Sequence, residues 1–322
     1  MPRELLLLRH GKSDRDIDVD DFDRPLKDRG KRGAQRIGVW LLKQKLIPDL
    51  VIASPAERAL TTAEKCGKAM GMVASEIEQN ERIYGASPSD LLEIIANSPP
   101  EAKRVMLVGH NPGMEQLLRK LADPAPATPS NGKLMPTATL AQLSIACDWK
   151  EVSPGKATLL QLVRPRDLPK KFPFPSPNGE EMRDRPAYYY TQSSVIPYRL
   201  GEDGVQIIIV RSSQDKHWVV PKGIADPGLS LQESAAKEAW EEAGVEGRVH
   251  EKPIGSYDYP KWGAICTVSV YPMEVSRQLP QEEWEERHRG REWVAAPVAA
   301  EMLRQAELAP LVLELERQLT RM

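Results

Sequence analysis

Cysteine is scarce: Cys66, Cys147 and Cys266 lie far apart in 322 residues and form no CxxC pair. That spacing excludes a disulfide framework and a cysteine-based zinc site, and it points to a reducing compartment. An excess of charge of one sign is also missing. A net charge of -2 leaves no basic tail for a nucleic-acid duplex and no polybasic patch for a membrane surface. No apolar run approaches the length of a membrane span. The chain opens Met-Pro-Arg-Glu and four leucines, too short an apolar stretch for a secretory leader, so a cytoplasmic location is expected. No internal repeat joins the two halves. What the chain does have is size and apolar content, with 41% hydrophobic residues, enough to build the cores of two ordinary domains.

The most constraining stretch is Lys237-Glu238-Ala239-Trp240-Glu241-Glu242-Ala243-Gly244-Val245. Ser230 with Glu233 three residues on predicts a capping box, and Gly244 predicts a left-handed residue just past the helix end. Glu238, Glu241 and Glu242 then share one face of the last two turns. Like charges at that spacing cost roughly 0.2–0.5 kcal/mol per pair, and a carboxylate near the negative helix terminus costs roughly 0.3–1 kcal/mol more. A divalent cation reverses the sign, because hard ions take carboxylate oxygens together with waters and phosphate. Removing Glu238 or Glu242 is accordingly expected to leave the metal-free protein as stable as before, or more so.

Gly223, Glu238, Ala239, Glu241, Glu242, Gly244 and Val245 fall in register with the loop-helix-loop signature of Nudix hydrolases, which this run resembles. Leu229 stands where that family has Glu, and Lys237 where it has Arg. The resemblance implies cleavage of a diphosphate linked to another group, with Mg²⁺ or Mn²⁺ held by Glu238, Glu241 and Glu242. It also implies Glu241 as a residue that assists or positions water, with one carboxylate of the set acting as base. Ser194-Val195-Ile196-Pro197-Tyr198-Arg199, Trp218-Val219-Val220-Pro221-Lys222-Gly223, Ile254-Gly255-Ser256-Tyr257 and Arg291-Glu292-Trp293 are similar to the diphosphoinositol and diadenosine polyphosphate hydrolase subgroup. Lys222, Lys261, Arg289 and Arg291 are the candidates for neutralising a polyphosphate. The fold implied for residues 188–322 is an α/β/α sandwich with a mixed sheet.

Three short apolar runs organise the other half. Leu5 to Leu8, Leu50 to Ala53 and Val105 to Val108 are continuous rather than alternating, as strands of a doubly covered parallel sheet are. Each delivers basic groups at its carboxyl end, where open α/β sheets place their ligands. The groups are Arg9 and His10, then Arg58 in the first turn of the following helix, then His110. Two arginines and two histidines at one edge make an anion pocket. Helical spacing over Gly33 to Leu46, Leu91 to Ala96 and Met114 to Ala122 supplies the covering layers.

Arg9-His10-Gly11, Arg24-Pro25-Leu26 with Arg29-Gly30, Ser54-Pro55-Ala56-Glu57-Arg58-Ala59 with Thr61-Thr62-Ala63-Glu64, and Gly109-His110-Asn111-Pro112 resemble, in order, the histidine phosphatase superfamily. The compact spacing is similar to its SixA-type branch, which acts on phosphohistidine. The resemblance implies that His10 attacks phosphorus without any cofactor while Arg9, Arg58 and His110 hold the oxygens. Glu81, in Asn80-Glu81-Arg82-Ile83-Tyr84-Gly85, is the candidate general acid, with a mechanism that needs no strong acid as the alternative. Ser13, Asn111 and Thr137 read equally as phosphate ligands and as turn or cap residues.

Between the halves, residues 164–187 carry prolines at close intervals and read as a semi-rigid linker. The expected organisation is a histidine-phosphatase-like α/β sandwich over 1–163, this linker, and a Nudix domain over 188–322. The expected function is a bifunctional phosphohydrolase acting on a small phosphorylated substrate of nucleotide or polyphosphate type. The alternative is a phosphatase acting on a phosphohistidine protein, with a Nudix domain that binds a regulatory polyphosphate.

Overall fold

The computed structural model of the protein describes residues 2–130, 132–202 and 204–321. The chain divides into two compact units between Phe172 and Pro173. In the first, β1 (Arg3–Arg9), α1 (Asp28–Lys43), β2 (Leu50–Ala53), α2 (Glu57–Met70), β3 (Ile77–Gln79), α3 (Pro88–Ala96), β4 (Arg104–Gly109), α4 (Gly113–Leu121), β5 (Leu140–Ile145) and β6 (Ala157–Val163) follow in order. They form a six-stranded sheet in the order β3-β2-β4-β1-β5-β6, parallel from β3 to β1 and antiparallel from there to β6.

Alternation along β1 explains why its apolar run is unbroken. Leu5 and Leu7 enter one core with Val105, Leu107 and residues of α3 and α4, while Leu6 and Leu8 enter the opposite core with Met106, Val108 and residues of α1 and α2. All four leucines are fully buried, each contributing about 1.5–3 kcal/mol relative to an exposed side chain. The predicted helices are found, with α1 beginning five residues before Gly33. Ser87 and Asp90 form an unforeseen capping box that starts α3.

Residues 164–187 differ from the extended spacer expected of them. They contain a single turn at Pro165–Asp167 and a hairpin of β7 (Phe172–Ser176) and β8 (Gly179–Arg183). Pro173 and Pro175 are tolerated because a two-stranded ribbon has open edges on which a missing N–H costs nothing. The Arg183 guanidinium lies 3.3 Å from the Phe174 ring centroid and 4.9 Å from that of Tyr190.

The second unit contains β9 (Thr191–Gly201), β10 (Gly204–Arg211), β11 (Trp218–Val219), β12 (Lys222–Ile224), α5 (Leu231–Ala243), β13 (Val245–Val249), β14 (Gly255–Lys261), β15 (Ala264–Gln278), β16 (Arg291–Ala295), α6 (Ala296–Met302) and α7 (Leu308–Thr320). Eight strands form one mixed sheet, with β15 parallel to β9 and the other pairings antiparallel. One face packs on α6 and α7 through Ala299, Leu303, Val312 and Leu315, and the other on α5 through Ala235, Ala239 and Ala243. This is the expected α/β/α sandwich with a mixed sheet. No described helix is long and apolar enough to cross a membrane.

Candidate active sites in the two units

The first site gathers at the carboxyl ends of β1, β2 and β4. His10 and His110 face each other with ring centroids 5.1 Å apart. His10 Nδ1 lies 2.7 Å from the Gly11 carbonyl oxygen, so this nitrogen carries the proton and donates it, leaving the Nε2 lone pair for chemistry. Burial pushes the His10 pKa down to about 3, against the Gly11 hydrogen bond, and His110, Arg58 and Arg9 lower it further. Burial and then Arg58 push His110 down to about 4. Both imidazoles are neutral at neutral pH, as a nucleophilic histidine must be.

Glycine makes this approach possible. A Cβ on Gly30 would stand 2.3 Å from the Lys12 carbonyl oxygen, and one on Gly11 2.8 Å from that of Gly30, so α1 presses on the backbone beside the nucleophile. The Gly11 N–H donates to Thr62 Oγ1 at 2.8 Å, and His110 Nε2 lies 2.9 Å from Ser54 Oγ. Arg9 Nη1 donates to the Met135 carbonyl at 2.7 Å. The Nε atoms of Arg9 and Arg58 are buried without a hydrogen-bond partner among the described residues, as are His110 Nδ1 and Asn111 Oδ1. The two guanidinium Nε–H groups are donors and suit a ligand that is all acceptor, whereas Asn111 Oδ1 can only accept.

The candidate acid is not part of this cluster. Glu81 is exposed in a single turn, Glu81–Ile83, and hydrogen-bonds to none of the four pocket residues. The side chain that does reach inward is Tyr84, whose ring stands edge-on to His110 with centroids 5.4 Å apart. Its hydroxyl donates to Asp21 Oδ2 at 2.9 Å. Asp21 also pairs with Arg58 Nη2 at 2.8 Å, and Arg58 Nη1 donates to the Asp21 backbone carbonyl. Arg24 joins the same carboxylate. Asp21 thus sits on the buried arginine that phosphate would need. Of the ambiguous trio, Ser13 is bridged to Leu26, Asn111 Nδ2 donates to Glu115 Oε2 and the Met135 carbonyl, and Thr137 lines a cavity on the flank of α1.

The second site is built on α5. The Ser230–Glu233 capping box and the left-handed Gly244, at φ 60°, are both present. Glu238 occupies the space a side chain at residue 223 would take: a Cβ on Gly223 would stand 1.7 Å from its Oε1. Burial, then Glu242 and Glu241, raise the Glu238 pKa to about 8. Burial also raises Glu242, opposed by the Lys222 backbone N–H, which donates to Glu242 Oε2 at 2.9 Å. Glu241 is half-buried, with Lys237 Nζ 3.8 Å from its Oε1. Lys237 pairs more closely with Asp226, at 2.5 Å.

Two of the arginines expected to meet a polyphosphate are otherwise engaged. Arg289, buried, forms ion pairs with Glu242 at 2.9 Å and with Glu286 at 2.7 Å. Arg291 Nη1 donates to the Ala243 and Gly244 carbonyls at 2.8 and 3.3 Å, where it satisfies the C-terminus of α5. Lys222 points its ammonium at Tyr259, donating to the hydroxyl at 3.0 Å, and burial lowers its pKa. Lys261 is exposed, its ammonium 4.4 Å from the Trp262 ring centroid.

The donor set fits a hard divalent ion in its chemistry. Three carboxylates crowd one helix face, and burial together with Glu242 and Glu241 raises the pKa of Glu238 to about 8. Glu242 currently takes a cation from Arg289, and among the described residues no trio of His, Cys, Asp or Glu stands as a ready ligand shell.

Comparison with known proteins matches the histidine phosphatase superfamily (branch 1) over residues 5–87 and the NUDIX domain over residues 190–313. An uncharacterized protein of Mycobacterium tuberculosis is 34% identical over 164 residues, 49% of this chain and the whole of the relative. Nudix hydrolase 12, mitochondrial, of Arabidopsis thaliana is 31% identical over 147 residues, 38% of this chain and 71% of the relative. A solved structure provisionally named phosphohistidine phosphatase SixA, from Nakamurella multipartitia, is 28% identical with a TM-score of 0.45, covering 51% of this chain and 97% of its own.

Proposed function

The chain belongs to the histidine phosphatase superfamily through its N-terminal half and to the Nudix hydrolases through its C-terminal half, and from that premise we propose a two-step phosphohydrolase. The Nudix site cuts a diphosphate linkage in a nucleotide, dinucleoside or inositol polyphosphate, and the histidine site removes a terminal phosphoryl group from the product. The carrying observation is the contrast between the sites. One is an anion pocket of two arginines and two histidines around a neutral imidazole, and the other is a set of carboxylates that repels phosphate until a cation joins it.

In the first site His10 Nε2 attacks phosphorus, the bond to the leaving group breaks, and its electron pair departs with that group. Arg9, Arg58 and His110 stabilise the oxygens as charge shifts. A leaving imidazole or a good phosphate leaving group needs no strong acid, which suits a pocket beside which Glu81 stands exposed. Water then attacks the phosphohistidine, the P–N bond breaks with its pair returning to Nε2, and phosphate leaves. In the second site Mg²⁺ or Mn²⁺, when bound, supplies charge neutralisation for the diphosphate and lowers the pKa of water. Glu238 and Glu242 would hold it, with Glu241 positioning water. Lys222 is fixed beside Glu242 by its own backbone, which places a cation at the site's edge. Three free cysteines accord with a proposed cytoplasmic location.

The test follows a dinucleoside polyphosphate with wild type, His10→Ala and Glu238→Gln. The Nudix product is expected to accumulate in His10→Ala, and no turnover is expected in Glu238→Gln. Degradation of the capped substrate by Glu238→Gln would overturn the order of the steps. Identical end products from wild type and His10→Ala would assign the phosphatase to another target, such as a phosphohistidine protein.

A further inference from the structure

Apart from both sites, the first unit holds a cavity of about 400 Å³ on the flank of α1, lined by Lys12, Arg29, Arg36, Arg164, Arg166 and Lys170 and by residues 136–139. None of its lining residues is acidic. In a chain of net charge -2, this concentration of cations is a local feature rather than general basicity. We propose that this cavity binds a small oligophosphate anion, separately from the phosphatase pocket.

Several guanidinium groups are held together in and beside this wall. Arg32 Nη2 and Arg36 Nη2 both donate to one oxygen, the Lys170 carbonyl, at 3.5 and 3.2 Å, bringing two guanidinium groups together. The Nε atoms of Arg32, Arg36 and Arg164 and the hydroxyl of Thr139 are buried without a hydrogen-bond partner among the described residues. Buried donors are rarely left unmade, and a guanidinium fork matches phosphate oxygens in pairs. Among the described residues Arg166 pairs with the exposed Asp167, at 3.5 Å. A volume of about 400 Å³ is on the order of a dozen waters, room for a few linked phosphates. A duplex backbone needs an extended basic track instead.

The segment Leu134–Ala138 stands between the two anion sites. Arg164 Nη2 donates to the Leu134 carbonyl at 3.4 Å from the cavity side, and Arg9 Nη1 to the Met135 carbonyl at 2.7 Å from the catalytic side. The Ala138 N–H donates to the carbonyls of Arg9 and His10. Neither Arg9 nor His10 lines the cavity. The same segment therefore reports on which site is filled.

The experiment is amide hydrogen exchange on the full chain in EDTA, with inorganic tripolyphosphate as the probe and citrate as a carboxylate control. Protection is expected over residues 134–139 and 164–170, and it should survive in Arg58→Ala, where the catalytic pocket is disabled. Arg36→Gln with Arg164→Gln is expected to weaken the probe at least tenfold, ~1.4 kcal/mol. Arg166→Glu with Lys170→Glu, both exposed and so safe for folding, should act in the same direction. Protection confined to residues 9–13, 54–62 and 110–113 would overturn the proposal. So would unchanged binding in the charge-reversed variant, or equal protection by citrate.

Discussion

Acid should unfold the first unit through its two pocket histidines. At pH 7.5 His10 and His110 are neutral in the folded protein and in the unfolded chain, so neither affects stability. Below the unfolded pKa of about 6.5 the unfolded chain takes up protons that the folded pocket refuses until about 3 for His10 and about 4 for His110. The unfolded state binds more protons, so stability falls as pH falls. At pH 5 each histidine withdraws about 2 kcal/mol, since RT ln(1 + 10^1.5) is about 2 and the folded groups are still almost unprotonated. Together they withdraw about 4 kcal/mol, a large share of a typical domain's stability of about 5–15 kcal/mol. The assay is urea unfolding between pH 5 and 7.5, followed for the first unit through the buried Trp149. Carboxylates titrate near this range too, so the informative quantity is the difference between wild type and His10→Gln, which should lose about 2 kcal/mol less on acidification. Parallel pH profiles for the two proteins would refute the reasoning. The same depressed pKa predicts that phosphatase kcat/KM stays flat from pH 7 to pH 5, with no acid limb near 6.5.

In EDTA, Glu238→Gln should be neutral or stabilising, because it removes a carboxylate whose pKa is already raised to about 8, whereas Glu242→Gln takes from the buried Arg289 one of its two carboxylate partners and should cost about 1–3 kcal/mol. Equal losses in thermal denaturation would refute this distinction. Gly223→Ala places a Cβ 1.7 Å from Glu238 Oε1 and should weaken Mn²⁺ binding, read by paramagnetic titration, at least tenfold; unchanged affinity would mean that this carboxylate is not a ligand. Asp21→Asn releases Arg58 from a carboxylate that is 51% exposed. A pair with that exposure is worth about 0.2–1 kcal/mol, so inorganic phosphate should inhibit up to about fivefold more tightly, and weaker or unchanged inhibition would count against Asp21 as its competitor.

The parts of both sites that were legible in the sequence share a property: each is a local pattern read along one strand or helix. Arg9-His10-Gly11 follows an apolar run, and the α5 carboxylates lie between a capping box and a left-handed glycine, so their faces follow from helical geometry. What was not legible arises between distant segments. Asp21 meets Arg58 across 37 positions and Arg289 meets Glu242 across 47, and nothing local distinguishes these residues from other surface charges. The expectation that losing Glu242 would be harmless took no account of that pairing, in which repulsion within the helix is offset by an arginine from outside it. The basic cavity was likewise hidden, because it forms where α1 meets residues 164–170, a stretch that composition marks only as proline-rich.

The four leucines of β1 have a further consequence for where His10 stands. Because both faces of the strand are equally apolar, sliding it by one residue would exchange the two cores it feeds while burying nearly the same surface. Burial alone therefore does not register this strand. The polar groups at its ends do so. Glu4 pairs with Arg104 and accepts from Gln142 Nε2 at 3.3 Å, while the Arg9 and His10 N–H groups donate to the Thr139 and Gly109 carbonyls. A strand rises about 3.3 Å per residue, so a slip of one position would carry the nucleophile out of reach of its arginines. The Glu4 cluster, roughly 20 Å from the pocket along the strand, acts as the fixed end of a ruler whose other end is the imidazole.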